Sequence, residues 1–403
     1  MRRRFIIIAV VLTIAISSYK IGISFSNDKD DLYRDLEIFA EGLAVIEGKY
    51  VEEKNPEDLV YGAMRGLASS LDAYSQFLTP DDYKNLLVET EGKFGGLGIE
   101  ITLRNSLLTI ISPIEDTPAW RAGIEAGDII IKIDGESTKD ITLNEAVKQL
   151  RGDPETEVIL TVFREGNGLV EDITIVRDII KIKDIKRSLI LEDGVGYIKI
   201  GEFRESTYKD LCKALEELEE EGLKALVIDV RNNPGGLLNS AIDISSKFLD
   251  DGTTVVSTDS RNEDERIYKT APFRKKYIDI PIVVLINKGS ASGSEILAAA
   301  LRDNNRAILV GEATFGKGSV QTILPLSDGS AMRLTTSKYY TPAGISIHEK
   351  GIEPDIKMVK EVIEKSKDDV FKELDRKQDF DYKKDSQIVR ALDLIKGILI
   401  LRR

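Results

Sequence analysis

The chain has 403 residues, of which 42% are hydrophobic and 31% are charged, so it is long enough for two or three soluble domains with well-formed cores. Its formal net charge of −13, without a concentrated basic patch, argues against a nucleic-acid-binding protein. The single cysteine, Cys212, excludes a disulfide framework and a cysteine-rich metal site, and its helical surroundings predict a small core residue.

Residues 1–26 have the layout of an export signal. Three arginines precede an apolar run that extends from Phe5 to about Ser18, an order typical of a signal peptide. If the run continues to Phe25, it is also long enough for an uncleaved signal anchor with its basic end in the cytoplasm. Both interpretations predict that the rest of the chain is exported, into the periplasm or another extracytoplasmic space, where it is either released or anchored to the cytoplasmic membrane.

Residues 27–90 are predicted to form an N-terminal helical segment. Apolar residues recur at helical spacing in DLYRDLEIFAEGLAVIEGKYV. In NPEDLVYGAMRGLASSL, Asn55 is the expected N-cap and Pro56 occupies the first helical position. Because no set of catalytic side chains occurs here, the segment is predicted to be a packing or dimerising arm.

Residues 91–178 contain short alternating runs separated by Gly, Asp and Pro turns, with helical pieces at Pro118–Ala122 and Leu143–Leu150. The segments GGLGIE, SPIEDTPAWRAGIEAGDIIIKIDG and AVKQLRG resemble a PDZ domain in that order. The resemblance implies a loop whose backbone N–H groups bind the C-terminal carboxylate of a peptide, which then adds to the sheet as a strand. The residues that match this loop are Leu97, Gly98 and Ile99.

Residues 179–358 are predicted to form a layered α/β domain, because strand-like and helix-like runs alternate. The strand-like runs are VGYIKI, KALVIDVR, PIVVLIN, AILVG, SVQTILPL and AMRLTTSKYY. The helix-like runs are Thr207–Glu220, Leu237–Leu249 and Glu295–Arg302. Residues 359–403 are helical and charged, with one apolar stripe that predicts a docking helix. The stripe consists of Ile388, Leu392, Ile395 and Leu399.

A phosphate-binding loop is one interpretation of GEATFGK, Gly311–Lys317, which fits the spacing G-x-x-x-x-G-K after a strand-like run. Such a loop needs Ser or Thr directly after the lysine to hold magnesium, and a helix must follow. Here Gly318 follows the lysine and a strand-like run continues. A nucleotide site is therefore not favoured.

The composition restricts the base that could activate a serine. The only histidine, His348, lies in a polar turn and remains an alternative base. A lysine can deprotonate a serine when an apolar site disfavours its ammonium form, and Ser–Lys pairs are a known variant of Ser–His catalysis. Lys317 is the candidate, because glycines flank it and apolar side chains lie near it in sequence. Gln321, four residues later, could orient its amine.

Three serines alternate in INKGSASGSEILAAALRD: Ser290, Ser292 and Ser294. Ser292 and Glu295 fit the S-x-x-E capping box, so Ser292 could simply be an N-cap. A helix N-terminus also stabilises a developing oxyanion through its free N–H groups and dipole. Spacing alone does not separate the three serines.

The chain resembles the carboxyl-terminal processing proteases, also called tail-specific proteases, from about Leu32 almost to its end. The motifs that carry the resemblance are SLDAYSQFLTPDDY, the PDZ-like segment, DVRNNPGGLL, NKGSASGSEILAAALRDNNRAILVGEATFGKGSVQ and YYTPAGISIHEKGIEPDI. It implies that Ser292 is the nucleophile, that Lys317 is the base and that Gln321 orients the lysine. The implied oxyanion-hole amides belong to Gly235, Gly236 and Gly293.

The resemblance also implies a mixed α/β, crotonase-like protease core with an inserted PDZ domain and helical N- and C-terminal segments. The implied activity is that of an exported bacterial serine endopeptidase that binds unstructured C-terminal tails and cleaves them, with no metal or organic cofactor. A homodimer and a regulatory or adaptor protein remain open as partners. The alternative is a PDZ scaffold with an inactive protease domain, which would bind peptides without cleaving them.

Overall fold

The computed structural model describes residues 33–104, 106–164, 168–261, 264–273, 275–359 and 380–402. The predicted export signal, residues 1–26, lies outside these ranges. Residues 360–379 of the predicted C-terminal segment also lie outside them. Within the described ranges, no helix has both the length and the apolar character needed to cross a membrane. The chain divides into two compact units. Of the described residues, those up to Thr79 form one unit with Ile323–Leu334, and those within Pro80–Thr322 and Thr335–Arg403 form the other.

The first unit contains helix α1 (residues 33–49) and helix α2 (Pro56–Ser69). As predicted, α2 starts with Pro56 after the N-cap Asn55, whose side chain accepts a hydrogen bond from the N–H of Glu57. Strand β1 (Gln76–Leu78) pairs with residues 331–333. The ring of Tyr61 lies against Phe77, with 5.0 Å between the centroids.

The second unit begins with helix α3 (Pro80–Glu91), followed by a small β-domain. Its strands form an antiparallel sheet in the order β3-β4-β5-β7-β8, with β6 paired to β5, while β2 and β9 pair at the entry and exit of the domain. The strands are β2 (Lys93–Gly96), β3 (Ile99–Arg104), β4 (Leu107–Pro113), β5 (Ile129–Ile133), β6 (Glu136–Ser137), β7 (Glu157–Arg164), β8 (Leu169–Val176) and β9 (Asp178–Lys181).

Two short helices complete this β-domain at the predicted places: α4 (Pro118–Arg121) and α5 (Leu143–Leu150). Alternate residues of β7 are buried, which is the period of a strand with one face on a core. A capping box between Thr142 and Glu145 fixes the start of α5. The buried side chains of this β-domain form a hydrophobic core of their own. Helix α5 forms one wall of a groove on the surface of the domain.

The remaining elements form a layered α/β domain. The strands are β10 (Ile185–Ile190), β11 (Val195–Ile200), β12 (Ala225–Asp229), β13 (Thr254–Ser260), β14 (Arg266–Lys269), β15 (Ile282–Ile286), β16 (Ile308–Gly311), β17 (Ser319–Pro325), β18 (Ala331–Tyr340) and β19 (Ile356–Lys357). The helices are α6 (Thr207–Glu220), α7 (Leu238–Ser246), α8 (Gly293–Asp303) and α9 (Ser386–Leu401), with a 3₁₀ turn at Tyr382–Lys384. The predicted helices and strands of this region are thus present.

The central sheet of this domain has the order β10-β11-β12-β15-β16-β19. The first pair is antiparallel and all the others are parallel. Helices α6, α7 and α8 contribute to the core on one face, and α9 covers the other. Parallel strands buried on both faces read as continuous apolar runs, as in ALVID and IVVLI.

The C-terminal stripe docks as predicted. Ile388, Leu392 and Ile395 of α9 are buried against the sheet, and Leu399 packs at the edge of the same cluster. Cys212 differs from the prediction of a core residue, because its side chain on α6 is only half-buried.

Candidate active site

Three loops meet at one edge of the parallel sheet, because each follows the carboxyl end of a neighbouring strand: β12, β15 or β16. They carry the motifs RNNPGG, NKGSAS and EATFGKG. Beside them lies a cavity of about 650 Å³. Ser292, Lys317, Gln321 and Gly236 all line it, so residues from all three motifs share one space.

The structure separates the three alternating serines. The hydroxyl of Ser290 donates to the carbonyl of Val230 at 2.8 Å, and that of Ser294 donates to the carbonyl of Asn233 at 2.9 Å. Both side chains are fully buried and hold the site loop that follows β12. Of the three, Ser292 alone lines the cavity.

Ser292 occupies an unusual backbone position at the N-cap of α8. Its φ of 50° and ψ of −112° lie outside the regions that a non-glycine residue ordinarily adopts. Such strain is found where the surrounding structure holds a functional side chain in place. Ser292 therefore lies at the N-terminus of α8, where the helix dipole and free N–H groups favour negative charge.

Glu295 connects the backbones of the serine and lysine loops. One oxygen of its fully buried carboxylate accepts from the N–H of Ser292 at 2.8 Å and from the N–H of Lys317 at 2.9 Å. The other accepts from the N–H of Gly316 at 2.7 Å and from the hydroxyl of Thr314. Burial raises the pKa of this carboxyl, and the four donors oppose that shift by stabilising its charge. The acid predicted to cap the helix therefore also positions the lysine loop.

Lys317 lies in a loop with little steric freedom. A Cβ added to Gly318 would lie 2.2 Å from the backbone nitrogen of His348, so the loop packs directly on that segment. Gln321 lines the cavity, and its side-chain nitrogen donates to the hydroxyl of Ser319 at 2.8 Å. Ser319 thereby holds the Gln321 amide at the cavity wall.

The three glycines of the predicted oxyanion hole differ in their backbone contacts. The N–H of Gly235 already donates to the Asn233 side chain at 2.8 Å. Within the described ranges, the N–H groups of Gly236 and Gly293 donate no hydrogen bond. A Cβ on Gly235 would lie 2.6 Å from the Ala291 carbonyl, so only glycine lets the two loops approach this closely. Of the three, Gly236 and Gly293 are consequently the glycines whose N–H groups are not already bonded within the described ranges.

A buried ion-pair network behind the site was not found from the sequence. Arg231, which precedes the NNPGG turn, donates twice to the carboxylate of Asp229, at 2.7 and 2.9 Å. It also donates to Gln387 at 2.7 Å and pairs with Asp385, the N-cap of α9. The turn that carries the glycines is thus fixed to the C-terminal helix.

His348 is not among the residues that line the cavity. Its Nε2 lies 3.8 Å from a carboxylate oxygen of Glu349, whose side chain is 86% exposed. The backbone of His348 packs against Gly318 of the lysine loop. Its ring does not line the cavity.

The β-domain has a groove of about 100 Å³, and the three predicted loop residues line it. The carbonyls of Leu97 and Gly98 accept from Ala119 and Ile114, while their N–H groups donate no hydrogen bond within the described ranges. Gly98 has a φ of 76°, and a Cβ there would lie 2.3 Å from Thr117. Glycine at this position therefore lets the loop pack closely against the segment around Thr117.

Glu295→Gln is expected to lower kcat/KM by about 10²-fold. The amide NH₂ of glutamine would face N–H groups that now donate to a carboxylate, so the serine and lysine loops should shift. Small displacements of catalytic groups have effects of that size. The free energy of unfolding should fall by about 1–3 kcal/mol. Steady-state turnover and urea denaturation check the two effects. Glu353→Gln, at an exposed pair with Lys357, is the control. Lost stability with unchanged kcat/KM would show that Glu295 has no influence on the catalytic geometry.

Two family models match the chain. Peptidase family S41 matches residues 194–358, and the PDZ domain matches residues 109–164. The first range contains every loop of the cavity described above, and the second contains most of the β-domain.

Curated relatives extend the match over most of the chain. A carboxy-terminal-processing protease of Bartonella bacilliformis is 43% identical over 85% of this chain and 79% of its own length. A carboxyl-terminal-processing protease of Synechocystis sp. is 37% identical over 87% of this chain and 80% of its own length. A crystal structure from Bacteroides fragilis, described as an S41 protease, covers 88% of this chain and 97% of its own, with a TM-score of 0.53 and 17% identity, and supports the fold.

Proposed function

The chain belongs to peptidase family S41, as a carboxy-terminal processing serine protease with a PDZ domain, and we propose that Ser292 and Lys317 form its catalytic pair. The observation that carries the proposal is that Ser292 lines a cavity with Lys317, while Ser290 and Ser294 are bonded to backbone carbonyls. Peptides or proteins are the substrates that this family implies.

In the proposed mechanism, the hydroxyl of Ser292 attacks the scissile carbonyl as its proton passes to the neutral amine of Lys317. The oxyanion accepts hydrogen bonds from the N–H groups of Gly293 and Gly236, and the first of these also has the dipole of α8 behind it. Lys317 then protonates the leaving amine. Loss of that amine leaves an acyl-enzyme, which a water activated by Lys317 hydrolyses. Gln321 would restrict the orientation of the lysine.

The PDZ domain is proposed to capture the C-terminal tail of the substrate. The unbonded N–H groups of Leu97 and Gly98 suit a terminal carboxylate, and the groove wall formed by α5 suits an apolar last side chain. Ile99 begins β3, the strand beside which a peptide would add. An unfolded tail held there would supply its preceding residues to the cavity at Ser292.

The remaining predictions extend this proposal. The alternation of parallel strands with helices supports the crotonase-like description of the core. The basic and apolar order of residues 1–26 supports export. Exposed apolar side chains on α1, among them Tyr33 and Leu36, support a homodimer through that arm, whereas α9 already buries its apolar stripe on its own domain. An adaptor protein remains a prediction. The inactive scaffold is not favoured, because the proposed catalytic residues share one cavity.

A soluble fragment that lacks residues 1–26 should cleave an unfolded model protein with an apolar free C-terminus. Replacing its last three residues by aspartate should slow cleavage by about 10-fold or more, since a charged tail is not stabilised in an apolar groove. Gel analysis and mass spectrometry of the products check this expectation. Equal cleavage of both substrates would contradict tail capture by the PDZ domain.

His348→Ala in the same assay separates the two candidate bases. Because His348 does not line the cavity, the variant should retain activity within about threefold of the unmodified fragment. Loss of activity in a variant with an unchanged unfolding midpoint would favour the histidine-dependent hydrolase instead.

A further inference from the structure

The wall of the catalytic cavity formed by α7 carries three polar side chains that the proposed mechanism does not use: Asn239, Ser240 and Asp243. Ser240 and Asp243 lie three residues apart on α7 and so point to the same side of that helix, and both line the cavity with Ser292. Helix α7 starts two residues after Gly236. A substrate residue whose carbonyl is held by the Gly236 N–H would therefore place its side chain beside the first turns of α7.

Ser240 is buried without a hydrogen-bond partner. Its side-chain oxygen is fully enclosed and unsatisfied in the described part of the protein, and the residue is 5% exposed. The two other serines near the end of the same helix behave differently. Ser245 and Ser246 each donate to the carbonyl four residues earlier, at 2.7 and 2.8 Å. Since unsatisfied buried hydroxyls are costly, Ser240 calls for a partner from outside the chain.

Asp243 is half-buried and likewise has no partner. Within the described ranges its carboxylate takes part in no ion pair and no hydrogen bond, in contrast to the buried Asp229, which pairs with Arg231. Burial raises the pKa of Asp243, with no donor to offset it. A cation bound from solution would supply that compensation.

Apart from Glu205, Asn239 and the residues of the proposed mechanism, the rest of the cavity lining is apolar or aromatic. The cavity is lined by Leu237, Leu238, Val320, Tyr208 and Tyr339. Such a surface suits the methylene stem of a long side chain whose charged end reaches an acid. Lysine and arginine have this combination of apolar stem and cationic end. Lys317 would not repel them in the reacting enzyme, because a general base must be uncharged.

We propose that this subsite binds a lysine or arginine side chain of the substrate, at the residue that supplies the scissile carbonyl, with Asp243 and Ser240 receiving its cationic end. The inference rests on the proposed function and adds the class of residue that the enzyme selects at the cut. The PDZ groove would bind the end of the tail, and the α7 wall would select the residue after which the tail is cleaved.

Matched internally quenched peptides that differ only at this residue provide the kinetic test, with the full chain as enzyme. Lysine and arginine peptides should exceed the methionine and glutamate peptides in kcat/KM by about 10-fold or more. Asp243→Asn should remove most of that preference and leave hydrolysis of the methionine peptide within about threefold. Glu216→Gln, on the exposed face of α6, is the matched control and should change neither value.

Binding to the Ser292→Ala protein gives a second readout that does not require turnover. The lysine peptide should bind about 10-fold more tightly than the methionine peptide by fluorescence anisotropy, and Asp243→Asn should abolish the difference. Cleavage that depends on Ser292 but shows no preference for basic residues, or a preference unaffected by Asp243→Asn, would overturn this inference alone. Cleavage that does not depend on Ser292 would overturn the proposed function, and equal binding of the two peptides would then overturn the subsite as well.

Discussion

Ser292→Ala is expected to lower kcat/KM by at least about 10⁴-fold while the protein stays folded. The hydroxyl is the nucleophile of the proposed mechanism, and alanine retains the Cβ that lies close to Gly235. The backbone N–H of residue 292 can still donate to Glu295, so the loop geometry should persist. Hydrolysis of an unfolded model protein and the thermal unfolding midpoint check both parts.

The neighbouring serines supply the controls for this experiment. Ser290→Ala and Ser294→Ala should each destabilise the protein by about 1–3 kcal/mol, because each leaves a buried carbonyl without its donor. Below the unfolding transition they should retain measurable turnover. If Ser292→Ala keeps its activity and one of these variants loses all of it at full folding, the nucleophile has been assigned to the wrong serine.

Arg231→Met is expected to lower the free energy of unfolding by about 3–5 kcal/mol at neutral pH. Arg231 is 9% exposed and pairs with Asp229, which is fully buried. Methionine can fill the space but leaves Asp229 with three partners: the Tyr197 hydroxyl at 2.7 Å, the backbone N–H of residue 231 at 2.9 Å and the Lys199 amine at 3.6 Å. Removing one member of a buried ion pair is costly because the other charge stays buried. Urea denaturation measures the change.

The same variant should show a characteristic pH dependence. Burial alone would raise the pKa of Asp229, but the hydrogen bonds and charge of Arg231 keep it below its ordinary value. A carboxyl with a lowered pKa stabilises the native state above its unfolded pKa of about 3.9 and loses that contribution as the pH falls through its native value. Without Arg231 the pKa should rise, and a raised pKa costs stability as the pH increases. The loss of unfolding free energy in Arg231→Met, relative to the unmodified protein, should therefore be larger at pH 7 than at about pH 4.

An exposed ion pair provides the comparison. Arg121 and Asp178 pair at 3.3 Å, with side chains 59% and 58% exposed. Arg121→Met should cost no more than about 1 kcal/mol, since water already solvates both charges. Equal losses in the two variants would contradict the view that the buried network fixes the glycine turn to α9.

The elements that the sequence predicted correctly are those with a strong local pattern. The apolar runs ALVID and IVVLI became buried parallel strands, and Asn55 with Pro56 began a helix where capping predicts it. Strand β13 was not predicted, because TVVSTDS is half polar and its partner β18 lies about 80 residues later. Pairing over that distance is decided by tertiary contacts rather than by local preference.

Helix ends were predicted less well than helix cores. The helix expected over Leu237–Leu249 ends at Ser246, because the next residues form tight turns. The helix expected from Glu295 starts at Gly293, since the N-cap is Ser292 itself. The S-x-x-E pattern of Ser292 and Glu295 predicts this start of the helix.

For the candidate site, the sequence predicted the residues but not what holds them. Motif resemblance implied Ser292 and Lys317, whereas spacing left three serines open; the contacts of Ser290 and Ser294 with backbone carbonyls favour Ser292 among them. The bonds from Lys317 and Gly316 to Glu295 join positions about 20 residues apart, and the pair of Arg231 with Asp385 joins positions 154 apart. No local pattern contains such contacts.

The central claim is that a lysine takes the proton of Ser292, and the most direct measurement is cleavage of an unfolded model protein by the soluble fragment and its Lys317→Ala variant from about pH 6 to about pH 10. Activity should rise with pH as the lysine loses its proton, and it should vanish in the variant at every pH. Activity that survives the loss of Lys317 would contradict the Ser–Lys pair and would transfer the role of base to His348.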